Sequence, residues 1–304
     1  MKHAYLITAY NNWKILRRQL QMLDDTENDI YLLVDLKSKD FSEDLLPELH
    51  GSRLFIMKRM KIYWAEFSQV KAMLSMIRKA LESGENYSYY HFFSGTCLPL
   101  KSQKYIHEFC DAAGKNFIGI VPEKFWYSTK RVRYYYPFVD TTAYKGHKTL
   151  KAFVQGTVLM QRLIGINRLK HFDGIIYNGW DWASITGQFA EYLVQQEDMV
   201  TGMFRKTLCP SELWIHTLAM NSEFKDTFYD MTDLRRGSMR FIDWKRGKPY
   251  TWGQDPDDFR TLMESPYLFA RKFDERVNME IVEKIYRSLK EITTGTENAG
   301  YDTP

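Results

Sequence analysis

The chain has 304 residues, 44% of them hydrophobic and 15% aromatic, with a formal net charge of +4 and a mean hydropathy of -0.44. That is ample apolar material for one large core, and too little net charge for a chain that binds polyanions over its whole surface. Cys97, Cys110 and Cys209 are few, odd in number and widely spaced, which excludes a disulfide framework and favours a reducing compartment. No run approaches the roughly 20 apolar residues of a membrane span, and the opening MKHAYLITAYNNW reads as a first strand rather than a signal-peptide core. The expectation is a cytoplasmic protein, able to lie peripherally against the inner face of a membrane.

In chain order, Ala4–Ala9 is a short apolar run closed by a polar turn at Asn11-Asn12. Ile15, Leu16, Leu20 and Leu23 then recur at helical spacing. Ile30–Val34 is a second apolar run that stops at Asp35. Strand, helix, strand within this length is a βαβ unit of a parallel sheet with a right-handed crossover. Residues 54–57 predict a third strand, and Val70, Met73, Leu74, Ile77 and Leu81 an amphipathic helix. Tyr89–Phe93 and Phe117–Val121 predict two more strands. Ligands in such sheets sit at the carboxyl ends of strands, which draws attention to Asp35 and Ser94.

The second half is less regular. Residues 123–150 are rich in Lys, Arg and Tyr and read as a long loop over a pocket. Residues 151–170 and 184–196 predict helices, as do Ile281, Val282, Ile285, Tyr286 and Leu289. The polar stretch 293–304 reads as a flexible tail. One domain over 1–292 is expected, with a nucleotide-binding half over 1–125 and an acceptor-binding half over 126–292.

Seven segments taken together are similar to the core-2/I-branching β-1,6-N-acetylglucosaminyltransferase family (glycosyltransferase family 14), which includes the xylosyltransferases. They are YLLVDLKS (31–38), IYWAEFSQVKAML (62–74), YYHFFSGTCLPLKSQKYIHEF (89–109), IYNGWDWASIT (176–186), CPSELWIHT (209–217), MRFIDW (239–244) and LFARKFD (268–274), in the family's order. The resemblance implies an α/β GT-A fold, in which a mostly parallel, Rossmann-like sheet is flanked by helices. It also implies inversion at the sugar carbon, a UDP-sugar donor and transfer without a divalent metal. With no membrane anchor in the sequence, the expected setting is assembly of a bacterial surface polysaccharide. The expected partners are the UDP-sugar and a glycan or lipid-linked glycan acceptor, with no nucleic acid.

The resemblance also assigns roles. An inverting transfer needs a base for the acceptor hydroxyl, and Glu212, in Pro210-Ser211-Glu212, matches the family's catalytic Glu; a plain carboxylate at a helix start is the bland alternative. A single carboxylate, Asp35, ends the second strand where a metal site would want two. Asp255-Pro256-Asp257 has the letters of a metal motif but reads as a turn. Fixed cations must then neutralise the leaving diphosphate. Lys272 matches the family's diphosphate lysine, and Lys248, with Arg246 as the alternative, is the expected second cation. Asp35 matches the residue that meets the uridine or ribose, and Trp64 the aromatic beside the donor. Acceptor contacts are expected from Glu123, Lys130, Arg131 and Arg133 in the basic loop, and from Trp182 and Trp244. N-acetylglucosamine is the expected donor sugar. The alternatives are xylose and a non-catalytic glycan-binding protein on the same fold. The histidines form no HxxxH pair, and there is no P-loop, GxGxxG or GxSxG.

Overall fold

The computed structural model describes residues 1–121, 125–139, 141, 144 and 146–298. Its main sheet holds β1 (His3–Ala9), β2 (Asn28–Val34), β3 (Arg53–Ile56), β4 (Tyr89–Ser94) and β6 (Ser184–Thr186), in the order β3-β2-β1-β4-β6. The first four run parallel, and β6 closes the edge antiparallel to β4. All seven residues of β2 are buried. A strand covered on both faces has no solvent side, which is why the sequence shows unbroken apolar runs here instead of alternation.

Helix α1 (Trp13–Met22) makes the first crossover, burying Ile15, Leu16, Gln19 and Leu20. Helix α2 (Ser68–Leu81) covers the opposite face with Val70, Leu74, Met76 and Ile77. The two faces carry separate apolar clusters, one built on α2 and one on α1 together with α3 (Gln103–Ala113). This is the α/β, Rossmann-like layering expected of a GT-A fold.

A second, three-stranded sheet joins β5 (Cys97–Pro99), β8 (Phe269–Arg271) and β7 (Arg240–Ile242) in the order β5-β8-β7. β5 follows β4 after only Gly95 and Thr96, so the small sheet hangs directly from the carboxyl end of the large one. Cys97 opposes Arg271 in its ladder.

Four expectations change. Phe117–Val121 forms no strand but isolated bridges, Phe117 to Ser184 and Ile120 to Gly179. A Cβ on Gly119 would come within 2.6 Å of the Leu234 carbonyl, so the Leu234 segment packs directly on this stretch and leaves no room for a side chain. Within the basic stretch expected as loop, α4 (Phe125–Arg133) is a helix, anchored by buried Ser128, Arg131 and Val132. The helix expected over 151–170 is α5 (Lys148–Leu163), which stops before Gly165 at φ 76°. The first residues of the helix expected over 184–196 are β6, and Thr186 caps α6 (Gly187–Gln195) by accepting from the Phe189 amide.

The remaining helices are α7 (Glu197–Phe204), α8 (Trp214–Met220), α9 (Leu234–Ser238), α10 (Asp258–Met263) and α11 (Glu280–Asn298). The Asp255-Pro256-Asp257 stretch is a turn before α10, with the Asp257 amide donating to Asp255 Oδ1 at 2.9 Å. The backbone of α11 runs past Thr293 to Asn298, while 299–304 lie outside the described residues.

Candidate active site

The carboxyl ends of β1, β2 and β4 open into a cavity of about 370 Å³. Thr8, Ala9 and Tyr10 line it from the first, Asp35 and Lys37 from the second, and Phe92, Phe93 and Ser94 from the third. Ile62–Ala65, Asp181, Trp182, Cys209, Ser211, Glu212 and Arg271 complete the wall. Parallel strands converge their last residues on one edge, so positions far apart in sequence become neighbours.

Asp35 is buried and heavily engaged. Its Oδ1 accepts from the Lys37 amide at 3.0 Å and the Ile62 amide at 3.3 Å, and its Oδ2 meets Lys37 Nζ at 2.6 Å. Lys37 also lies over the Tyr63 ring at 4.6 Å and donates to the Ile62 carbonyl. This carboxylate is a fixed acceptor that ties the end of β2 to the loop carrying Trp64, and Trp64 lines the cavity while half exposed.

Glu212 ends a short 3-10 turn, Pro210–Glu212, entered through Cys209 at φ 49°. Arg131, almost wholly buried on α4, pairs with Glu212 Oε2 at 2.9 Å. It also donates to the carbonyls of Leu208, at 2.8 Å, and Cys209. The residue expected among acceptor contacts thus orients the carboxylate instead. The Glu212 carbonyl accepts from the Gly179 amide at 2.9 Å. That approach requires glycine: a Cβ at position 179 would stand 1.9 Å from the Gly119 oxygen and 2.4 Å from His216 Nε2. On the far side, the Cys209 amide donates to the Ala65 carbonyl at 2.9 Å, and Ala65 itself has φ 63°. Two non-glycine residues held at positive φ therefore flank the cavity.

Asp181 is a third carboxylate of the cavity, beside Asp35 and Glu212, and sequence reasoning does not single it out. Its Oδ1 is shielded from solvent and has no hydrogen-bond partner. Burial first, and then the nearby Glu212 charge, push its pKa up to about 7, against the pull of a Ser211 hydrogen bond and of Arg271 and Arg131. Below that pH Asp181 is neutral; above it, a second negative charge stands beside Glu212. Asp181→Asn is expected to erase a titration near pH 7 from the pH profile of kcat/KM, measured over the range that brackets neutrality. A variant that keeps the inflection would assign it to another group.

Arg271 and Lys37 are the cations that line the cavity, and Lys37 is already paired with Asp35. Arg271 Nη1 donates to Ser94 Oγ and, at 3.2 Å, to Thr96 Oγ1, and its guanidinium lies 3.8 Å over the Trp182 ring. Its Nε is buried without a partner. Cys209 also lines the cavity, and burial, then Glu212, push its thiol up to about 12.

Of the residues singled out from sequence, Asp35, Trp64, Trp182 and Glu212 meet in this cavity. Lys272, next to Arg271, is not among its lining residues. Lys248 and Trp244 are exposed and do not line it. Arg246 is committed elsewhere, to Asp243 at 2.7 Å and Asp258 at 2.9 Å, stacked over Tyr250. Lys130 and Arg133 line a different cavity, on the far side of α4. Glu123 lies outside the described residues. The missed groups each had a faint signal: Arg271 adjoins Lys272 in FARKFD, and Asp181 sits between two tryptophans in GWDWAS.

The Core-2/I-Branching enzyme family matches residues 3–261. A xylosyltransferase of Ciona intestinalis is 25% identical over 296 residues, covering 89% of this chain and 32% of that protein. Xylosyltransferase sqv-6 of Caenorhabditis briggsae is 29% identical over 40% of this chain and 18% of its own length. Human xylosyltransferase 2 is 31% identical over 36% of this chain and 14% of its own. The chain thus spans a third or less of the length of these relatives. Among solved structures, mouse xyloside xylosyltransferase 1 in its apo form aligns over 91% of this chain and all of that chain, with a TM-score of 0.38 and 10% identity. With the family matched over most of its length, the chain belongs to the Core-2/I-Branching enzyme family (glycosyltransferase family 14).

Proposed function

We propose that the chain transfers a sugar from a UDP-sugar to a glycan hydroxyl by a single inverting displacement, with protein cations in place of a divalent metal. The observation that carries this reading is the pairing, in one cavity at the strand ends, of an oriented carboxylate, Glu212, with a fixed cation, Arg271. The acceptor oxygen attacks the anomeric carbon as its proton passes to the Glu212 carboxylate. The bond from that carbon to the diphosphate breaks, and its electron pair moves onto the β-phosphate oxygen. Arg271, whose guanidinium lines the cavity, offsets that developing charge, and Lys272 is the cation that the resemblance places there. Asp35 and Trp64 hold the nucleoside side, and Trp182 presents an apolar face to a sugar ring.

Metal independence is supported by Asp35, which is a lone carboxylate at its strand end and is already neutralised by Lys37. N-acetylglucosamine is the first reading of the donor sugar. Xylose is the second, favoured by the names of the relatives, which are xylosyltransferases.

A panel of UDP-sugars assayed for binding and hydrolysis in EDTA tests both parts. Turnover of UDP-N-acetylglucosamine without added metal is the expected result, and preference for UDP-xylose would move the donor to the second reading. Activity that appears only with Mn²⁺ would overturn the metal-free proposal.

A further inference from the structure

Residues 125–172 hold nine Lys or Arg and a single acidic residue, Asp140. The whole chain nets only +4, so the rest of it is net acidic and the positive charge is segregated in this stretch. Helix α5 lies within it. At 3.6 residues per turn its surface divides into three strips. Leu150, Val154 and Val158 pack on a small cluster of their own with Tyr134, Tyr136 and Tyr144. Lys148, Lys151, Gln155 and Arg162 form a basic strip beside them.

The third strip, continued by the residue after the helix, is apolar and uncovered. Phe153, Leu159, Met160, Leu163 and Ile164 are 57–76% exposed, and no charged residue interrupts their arc. Single exposed apolar side chains are ordinary; five on one arc, edged by cations, mark an interaction surface. A notch of about 450 Å³ between α4 and α5 brings Lys130, Arg133 and Arg162 together with Tyr134, Val158 and Leu159. Three cations beside apolar side chains suit a phosphate with an acyl chain behind it. A soluble polyanion would use the cations and leave the apolar arc without a role. No described helix is long and apolar enough to cross a membrane, which leaves the in-plane arrangement.

We propose that α5 and the adjoining basic notch dock this protein on an anionic phospholipid bilayer. The five apolar side chains enter the boundary between headgroups and acyl chains, and the Lys and Arg strip meets lipid phosphates. The same stretch reaches the active site: Arg131 of α4 holds Glu212, and Thr141 lines the catalytic cavity. The docking surface and the residue that holds Glu212 thus belong to one stretch of chain.

Co-sedimentation of the full chain with phosphatidylcholine vesicles, with and without phosphatidylglycerol, tests the surface. Binding is expected only to the mixed vesicles, and is expected to weaken as salt rises. Met160→Glu with Leu163→Glu should abolish it while UDP-sugar hydrolysis and circular dichroism stay as in the parent. Lys148→Ser and Lys151→Ser, which leave the apolar arc untouched, should each weaken binding about five-fold. Failure of the parent to bind mixed vesicles would overturn the proposal. So would undiminished binding by the double Glu variant, which would make the strip a site for soluble polyanions.

Discussion

Glu212→Gln is expected to lower kcat about 10²–10⁴-fold, the usual contribution of a positioned general base, while leaving the KM for the donor close to that of the parent. The substitution is nearly isosteric. The glutamine carbonyl oxygen can still accept from Arg131, whose guanidinium is itself fixed by the carbonyls of Leu208 and Cys209, so the turn and its link to Gly179 should persist. What disappears is the ability to take a proton as the acceptor oxygen attacks. Equal binding with lost turnover is the signature of an interaction made in the transition state. Near-normal turnover in the Gln variant would remove Glu212 from the mechanism and turn attention to Asp181, the carboxylate of the cavity that no cation pairs directly.

Arg271→Met should reduce kcat about 10²–10³-fold, the range for removing one donor aimed at developing charge, and should weaken UDP binding as well. The methionine keeps an unbranched side chain over Trp182 and removes only the guanidinium. Lys272→Met should have the smaller effect, because Lys272 does not line the cavity. The pair of variants separates the residue that the resemblance singles out from the residue that the geometry favours. The reverse ranking, measured as steady-state constants with the same UDP-sugar, would return the diphosphate role to Lys272.

Arg271 also shows where sequence reasoning stops. The motif FARKFD places two cations side by side, and resemblance points to the second. Which one enters the cavity depends on the register of β8 against β5, where Arg271 opposes Cys97 and so reaches Ser94 and Thr96. Register across a gap of that length has no local signature in the chain. The same limit hides Arg131. Its role comes from a 2.9 Å contact with a residue 81 positions later, and from a helix that the basic, tyrosine-rich composition concealed.

By contrast, Asp35 and Glu212 were readable. Asp35 follows an unbroken apolar run, and in a parallel sheet the residue after such a run lies at the ligand-binding edge. Glu212 came from the resemblance, with the Pro-Ser start of its turn in view. Phe117–Val121 shows the opposite case. Its apolar composition suits a buried segment equally well as strand or as irregular chain, and the pairing it finds is limited to isolated bridges to Ser184 and Gly179.

The two sheets divide the labour of the site between the ends of the chain. Thr8 and Asp35 belong to its first tenth or so, yet Arg271 arrives on β8, which pairs with β5 only after most of the polypeptide exists. During synthesis the nucleotide side can take shape early, since its strands are joined by short local crossovers. The cation cannot. On the proposed mechanism a nascent chain would hold the nucleoside part of the donor well before it could assist departure of the diphosphate, and transfer would wait on the folding back of the β8 segment.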